Sequence, residues 1–206
     1  MLAPDQISEL HRLHLALGHR RHQLKAVAAV RRLTAAWVFS PTLERRAAFA
    51  TKMAREVGIP VHAVDSAEEA MADADILITA TNSRTPVFAG DSLKQGMHIT
   101  SIANGDKTRT RQELDDTVLH RADPIFITSK ETVCVNESDI FRAVRDKVIT
   151  WDKVHEISSL LLDTAAGRND DRQITLFKLQ GSGIMDVAIG FEAYKRLKSS
   201  GLATQL

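Results

Sequence analysis

Short apolar runs alternate with segments of helical periodicity along most of the chain. Apolar positions three or four residues apart predict helices, and continuous apolar runs of four to six residues predict buried strands. The predicted strands cover residues 13–17, 35–39, 61–64, 75–79, 98–102, 124–128 and 174–179. The predicted helices cover 23–32, 41–57, 66–72, 111–120, 138–148, 152–163 and 185–198. Strands that alternate with helices in this way predict an α/β fold, with a doubly wound, mainly parallel sheet and C-terminal helices packed against it.

Local signals place several helix ends. Ser40 precedes Pro41, which predicts a helix with Ser40 as N-cap and proline in the first turn. Gly58 is expected to end that helix in the left-handed conformation. Ser66 and Glu69 form the spacing of a capping box and predict the start of the next helix.

The chain is organised around residues 74–86, where an apolar run turns abruptly polar. We interpret this stretch as a buried parallel strand that ends in a polar loop. Ligands of open α/β sheets bind outside the carboxyl ends of the strands, so side chains just after this strand are candidates for cofactor contact. These candidates are Thr79, Ala80, Thr81 and Ser83.

A dinucleotide fold normally carries G-x-G-x-x-G between its first strand and first helix. Here Gly18, in ALGHRRHQ, is the one glycine in that place, and we assign it to the phosphate turn. His19 and Arg20 stand where side chains would crowd a phosphate. Arg20 and Arg21 offer an alternative, in which charge rather than glycine backbone holds the phosphate.

The start of the chain is also rich in histidine. Two readings are open for this segment: His11 and His14 share a face if it is helical, or residues 13–17 form a first strand. No cysteine or nearby paired carboxylate completes a metal site with them, so we predict no metal.

The second strand is expected to end at Ser40, where dinucleotide folds specific for NAD place an acidic residue on the ribose hydroxyls. Serine with Arg45 and Arg46 close behind would tolerate or attract a 2′-phosphate, which slightly favours NADP over NAD. The alternative is that Ser40 caps the helix and both arginines are solvated.

Asp106 follows the strand at 98–102, on the same carboxyl edge as the loop after residue 79. A carboxylate there is a candidate general base or a ligand for a substrate amine. An Asp in an Asn-Gly-Asp sequence is also a common turn residue, and the pattern does not separate the two roles. Ile102, at the end of this strand, is a further candidate for contact with the cofactor.

Composition excludes several classes of function. Lys and Arg number 27 against 26 Asp and Glu, so no basic surface indicates nucleic acid or an anionic membrane as partner. No stretch approaches the roughly 18 apolar residues of a membrane span. A single cysteine, Cys134, rules out an internal disulfide and fits the reducing cytoplasm, and its apolar neighbours predict that it is buried.

Four stretches together resemble the ornithine cyclodeaminase and mu-crystallin family. They are SPTLERRAAFATKM, SAEEAMADADILITATNSRTPVF, HITSIANGDKTRTRQELDDTVLHRAD and AAGRNDDRQITLFKLQGSGIMDVAIG. The resemblance extends over residues 23–202. It implies a Rossmann domain that binds NAD or NADP, a dimer, and chemistry at a carbon that bears nitrogen in an amino or imino acid. Activities in such a family include conversion of ornithine to proline, ketimine reduction and amino-acid dehydrogenation, and some members bind ligands without catalysis.

The resemblance also assigns roles to individual residues. It implies that Asp106 is the catalytic aspartate, that Thr79 and Thr81 lie beside the cofactor, and that Lys178 and Gly181 border the nicotinamide end. Two features depart from the family pattern: the degraded glycine-rich loop, and the lack of an N-terminal substrate and dimerisation domain before it. We therefore expect residues 1–22 to be an atypical segment, residues 23–206 to be the nucleotide-binding domain, and a truncated chain to have impaired activity.

Overall fold

The computed structural model describes residues 21–103, 111–135, 138–181 and 183–201, together with the backbone of a strand at 11–16. These residues form one sheet of eight parallel strands in the order β3-β2-β1-β4-β5-β8-β6-β7. The strands are β1 (His11–Ala16), β2 (Leu33–Phe39), β3 (Val61–Ala63), β4 (Ile76–Thr79), β5 (His98–Ser101), β6 (Ile125–Ile127), β7 (Val154–Glu156) and β8 (Thr175–Lys178). The predicted α/β class and the parallel sheet are confirmed.

Helices connect most of the strands, because parallel pairing requires long crossover connections, and β4 and β5 are joined by a loop with one short 3₁₀ turn at Gly90–Ser92. In the described part of the chain they are α1 (Arg21–Val30), α2 (Leu43–Val57), α3 (Ala67–Met71), α4 (Asp116–Arg121), α5 (Lys130–Val135), α6 (Asp139–Arg145), α7 (Ile157–Leu161) and α8 (Gly183–Ser199). None of the helices among the described residues is long and apolar enough to cross a bilayer.

The strand order reverses at β1, which pairs with β2 on one side and with β4 on the other. The chain leaves β3 at one edge and returns to the middle of the sheet to form β4. Such a reversal opens a crevice outside the carboxyl ends of the strands, and this is where α/β proteins bind ligands. The sheet therefore positions the loops after β2, β4 and β5 around one site.

Two clusters of buried apolar side chains flank the sheet. The larger packs β4, β5, β6 and β8 against α4 and α6, with Leu77, Ile99 and Leu119 at its centre. The smaller joins α1 and α2 to the β1–β3 end of the sheet; its buried members are Leu24, Leu33, Ala36, Val38, Met53 and Ile78.

Two predicted helix boundaries are confirmed. Gly58 follows α2 in the left-handed conformation, with φ +72°, which suits a residue without Cβ. Ser66 caps α3 and accepts a hydrogen bond from the Glu69 N–H at 2.9 Å. The Glu69 carboxylate turns back to the Asp65 N–H at 3.0 Å, one residue before the position that a capping box uses.

The predicted role of Ser40 as N-cap is wrong. Helix α2 begins at Leu43, and Thr42 is the N-cap residue. The Ser40 hydroxyl instead accepts a long bond, 3.4 Å, from the Thr42 N–H. Residues 40–42 therefore form a turn between the strand and the helix, and Pro41 lies before the helix rather than in its first turn.

The helix predicted over 111–120 is shorter than expected. It begins at Asp116, because Asp115 accepts a hydrogen bond from the Val118 N–H and caps it. The segment before it is held away from helical geometry by backbone bonds from Gln112 N–H to Ser83 O and from Val87 N–H to Glu113 O.

The helix predicted over 152–163 is also wrong in its first half. Residues 154–156 form β7, which pairs with β6, and a helix follows only at 157–161. Helix α5 was not predicted. Cys134 lies on α5 and is exposed, which contradicts the expectation that it is buried.

Of the two conformations left open for the start of the chain, helix and strand, the structure has the strand. Residues 11–16 form β1, so His11 and His14 do not share a helical face. Gly18 and Asp106 lie outside the described residues. The boundary at residue 22 stays a prediction.

Candidate functional site

A crevice of about 1040 Å³ opens at the carboxyl ends of β2, β4 and β5. This is the place that the reversal of strand order predicts. Its walls come from α1, from the turn and helix after β2, and from the loops after β4 and β5. The lining residues are Gln23, Phe39, Ser40, Pro41, Thr42, Arg45, Phe49, Ala67, Ala80, Thr81, Asn82, Ser83, Pro86, Val87, Ile102, Ala103 and Arg111.

The crevice brings together most of the side chains that the sequence singled out. Six of the ten predicted cofactor-binding residues line it: Ser40, Arg45, Ala80, Thr81, Ser83 and Ile102. Thr79 and Lys178 are fully buried and do not line it. Gly181 is exposed and lies outside its walls.

The loop after β4 is fixed by its own hydroxyls. Thr81 Oγ1 accepts a bond from the Ser83 N–H at 3.1 Å, and Ser83 Oγ donates to the Thr85 carbonyl at 2.6 Å. A backbone bond of 3.1 Å from the Gln112 N–H to the Ser83 carbonyl ties the loop to the segment before α4. The abrupt change from apolar to polar residues after Ile78 therefore encodes an ordered polar loop at the crevice.

A carboxylate that sequence analysis missed lies beneath the crevice. Glu113 is fully buried, and its Oε2 accepts bonds from Thr79 Oγ1 at 2.9 Å, from Ser101 Oγ at 2.8 Å and from the Ala103 N–H at 3.1 Å. Its Oε1 accepts from the Thr81 N–H. One side chain thus contacts the ends of β4 and β5 and both loops that follow.

Lys178, at the end of β8, supplies the opposite charge. Its Nζ donates to Ser101 Oγ at 2.8 Å and to the Ala103 carbonyl at 2.5 Å, and it lies 3.0 Å from Asp139 Oδ2. We call Glu113, Lys178 and Asp139 the buried anchor. Its members come from the segment before α4, from α6 and from β8, and it lies directly under the crevice floor.

The two carboxyl groups of the buried anchor differ in acidity. Burial acts to raise the pKa of Glu113, but the Lys178 charge and the hydrogen bonds from Thr81 and Ser101 outweigh it, so that pKa lies below its usual range. Burial raises the pKa of Asp139 above its usual range in spite of the Lys178 ammonium beside it. Asp139 Oδ1 has no hydrogen-bond partner among the described residues.

A second polar group lies at the outer end of the crevice. Arg46 donates to the Ser40 carbonyl at 2.9 Å and pairs with Asp65. The Arg46 side chain is 9% exposed, whereas that of Asp65 is 87% exposed. We call Arg46, Ser40 and Asp65 the rim anchor. Arg45, by contrast, is exposed and turns to the crevice itself.

The donor set fits a nucleotide better than a metal ion. Hydroxyl and amide groups and two guanidinium groups line the crevice, and no Asp or Glu is among the described lining residues. No cluster of three His, Cys, Asp or Glu side chains suited to a metal occurs in the part of the chain that the structure describes. A crevice of this size with few carboxylates is suited to an organic anion.

An open parallel sheet whose crevice lies at the reversal of strand order defines a Rossmann-like domain. The family model "Ornithine cyclodeaminase/mu-crystallin family" matches residues 19–201, and the chain belongs to this family.

Sequence relatives and solved structures agree with this assignment. The chain is 30% identical over 183 residues to a Delta(1)-pyrroline-2-carboxylate reductase of Bacillus cereus, a match that covers 88% of the chain and 55% of that protein. It is similar to the Thermococcus litoralis Delta(1)-pyrroline-2-carboxylate reductase solved with NADH and L-proline: 31% identity, TM-score 0.87, 95% of this chain and 61% of the other. An archaeal alanine dehydrogenase dimer with bound NAD matches at 27% identity and TM-score 0.84, over 95% of this chain and 60% of the other.

The chain spans little more than half the length of these relatives. The matched part contains the sheet and the crevice.

Proposed function

We propose that this chain is the nucleotide-binding part of an NAD(P)-dependent protein that acts on an amino or imino acid. The observation that carries the proposal is the crevice, which combines the loops after β2, β4 and β5 at the reversal of strand order. Relatives whose structures contain NADH or NAD support it.

The proposed reaction is reduction of a cyclic or linear imino acid, or its reverse. The chemistry that a reduced nicotinamide would supply, when bound, is a hydride for the carbon of the C=N bond. The nitrogen then takes a proton, and the product is the amino acid. We propose Asp106 as the group that moves this proton, because it follows β5 in the sequence and ligands of such sheets bind outside the carboxyl ends of the strands. Conversion of ornithine to proline is the related activity that begins with oxidation of the amino acid.

The protein side of nucleotide binding falls to residues on three elements. Thr81 and Ser83 would contact the nicotinamide half from the loop after β4. Ser40, from the turn after β2, and Arg45, from the first turn of α2, would contact the adenosine half. The crevice wall at Ser40 presents no carboxylate in its described residues, which favours a 2′-phosphate. We therefore propose NADPH as the better ligand, with NADH also accepted.

Calorimetric titration of the purified chain with NADPH and with NADH tests the binding proposal. We expect saturable binding of both, with tighter binding of NADPH, and we expect Arg45→Ala to remove most of that difference. Glu44→Ala, an exposed change one residue away, is the matched control. Absence of binding by a chain whose cooperative unfolding shows that it is folded would contradict the proposal.

A second candidate is a noncatalytic nucleotide-binding or interaction protein, and α8 favours an interaction role. This helix has no buried residues, and it exposes large apolar side chains at Ile184, Met185, Val187, Ile189, Phe191, Tyr194 and Leu197. Apolar surface of this extent marks a contact with other polypeptide. We propose that the chain assembles as a dimer in the cytoplasm. Sedimentation analysis should show a mass above that of the monomer, and a monomer at all concentrations would count against it.

A further inference from the structure

We propose that Glu113 is a positioning residue that holds the loops after β4 and β5 in the shape of the crevice. The two loops contribute Ala80, Thr81, Ile102 and Ala103 to the crevice wall. They follow neighbouring strands, but the residues that line the crevice lie beyond the last ladder pair, Thr79 with Ser101. A backbone bond from the Ile102 N–H to the Thr79 carbonyl at 2.9 Å continues the pairing by one residue, and beyond it the Glu113 carboxylate spans both loops.

Each oxygen of the Glu113 carboxylate accepts a hydrogen bond from a different loop. Oε1 accepts from the Thr81 N–H on one side, and Oε2 accepts from the Ala103 N–H at 3.1 Å on the other. Both donors are backbone groups of residues that line the crevice. A shift of either loop would take its N–H away from this acceptor, and at Ala103 that N–H is buried.

A carboxylate is the group that these four donors require. It offers two acceptor oxygens, whereas an amide offers one oxygen and one NH₂. The hydroxyls of Thr79 and Ser101 can rotate and accept from an NH₂ group. The N–H groups of Thr81 and Ala103 cannot accept. Glutamine at position 113 can therefore accept from the N–H of one loop with its oxygen, but it must turn its NH₂ group toward the N–H of the other.

Lys178 determines which groups donate hydrogen bonds to Glu113. Its Nζ donates to Ser101 Oγ, which leaves the Ser101 hydrogen for Glu113. The same Nζ donates to the Ala103 carbonyl, so both polar backbone groups of Ala103 are held, one by each charged partner. Lys178 therefore acts through Glu113 and Ala103, and because it is fully buried it does so without contact with a ligand in the crevice.

The identity of the ligand rests on the proposed function, but the positioning role has a readout of its own. Glu113→Gln should raise the amide hydrogen-exchange rate of Thr81 or Ala103 by about tenfold or more, through local opening of one loop. It should also weaken NADPH binding by about tenfold.

The matched control separates positioning from general loss of stability. Leu119→Ala removes a fully buried side chain from the larger apolar cluster, away from the crevice. It should lower the midpoint of thermal unfolding without a selective change at Thr81 or Ala103, and it should leave NADPH affinity within about twofold at temperatures where the variant is folded. Glu113→Gln should raise exchange selectively at Thr81 or Ala103 and weaken NADPH binding, whatever its effect on the midpoint of thermal unfolding.

Three outcomes decide the matter. Exchange at Thr81 and Ala103 that rises no more in Glu113→Gln than in Leu119→Ala overturns the proposal. Selective exchange with unchanged NADPH affinity overturns the claim that Glu113 shapes the crevice for its ligand. Selective exchange in a chain that binds neither NADPH nor NADH supports the positioning role and contradicts only the proposed function.

Discussion

Two polar clusters hold the crevice, one beneath its floor and one at its outer end, and they differ in their exposure to water. The buried anchor contains two carboxylates and one ammonium, all fully or almost fully excluded from water. The rim anchor joins a nearly buried guanidinium to a carboxylate that is 87% exposed. Both hold backbone near the crevice: Glu113 and Lys178 hold Ala103, and Arg46 holds the carbonyl of Ser40.

The two anchors differ in whether water can hydrate a charge that has lost its partner. If a partner is lost at the rim, solvent can hydrate the remaining charge, and such ion pairs contribute little. If the ammonium is lost from the buried anchor, two carboxylates remain in a medium of low polarizability without a counter-charge. The floor of the crevice is therefore set rigidly by charge, whereas its outer end at Ser40 can adjust to different ligands at small cost.

The largest expected effect comes from removal of the ammonium in the buried anchor. Lys178→Met leaves Glu113 and Asp139 buried without a counter-charge, and we expect a loss of about 3–5 kcal/mol in the free energy of unfolding. Chemical denaturation measures it. The matched control is Lys52→Met, which removes an exposed lysine 3.9 Å from Glu56 and should cost less than about 1 kcal/mol. Equal losses in the two variants would contradict the contrast between buried and exposed pairs.

A smaller effect is expected from acid, at the opposite end of β5 from the buried anchor. His98 bonds to Thr175 Oγ1 at 2.8 Å and to Thr100 Oγ1 at 3.2 Å, and burial, with the positive charges of Arg168 and Arg31, lowers its pKa from 6.5 to about 4. The unfolded chain binds the proton first. Stability is therefore complete above pH 6.5 and falls as the pH drops toward 4.

The loss from this one group should reach up to about 3 kcal/mol. Denaturation curves between these pH values measure it. His98→Gln should flatten the pH dependence, whereas His62→Gln, a change at an exposed histidine of β3, should leave it as in the parent chain. A pH dependence that is the same in both variants would show that other groups dominate.

The smallest effect is expected at the rim anchor. Asp65→Asn removes the charge that pairs with Arg46 but leaves the bond from Arg46 to the Ser40 carbonyl. We expect a loss of at most about 1 kcal/mol at low salt and less at high salt, because the pair is open to solvent. A loss as large as that of Lys178→Met would mean that the rim is as strictly organised as the floor.

Local patterns in the sequence predicted the parts of the fold that depend on neighbours along the chain. The apolar run before Thr79, the Gly58 cap and the Ser66 cap all act over a few residues, and all are confirmed. The position of the crevice was predicted because it lies where a parallel strand ends, and the end of a strand is also a local feature of the sequence.

The buried anchor was not predicted, because its members come from three distant segments. Glu113 lies in a charged stretch that favours a helix, but its bonds to the distant ends of β4 and β5 hold it in the core. Lys178 was assigned to the cofactor by resemblance, but the structure buries it against Asp139. Strand β7 was missed for a similar reason, since residues 154–156 become a strand only by pairing with β6.

The two outer strands of the sheet, β3 and β7, have three residues each. An edge strand offers unpaired N–H and C=O groups to any extended chain that approaches, and the number of such groups grows with strand length. Because both edge strands are short, few unpaired backbone groups are available for the addition of a strand from another molecule. The fold places its two longest strands, β1 and β2, at the reversal point, where the crevice needs them, and a strand of three residues at each edge, where solubility is decided.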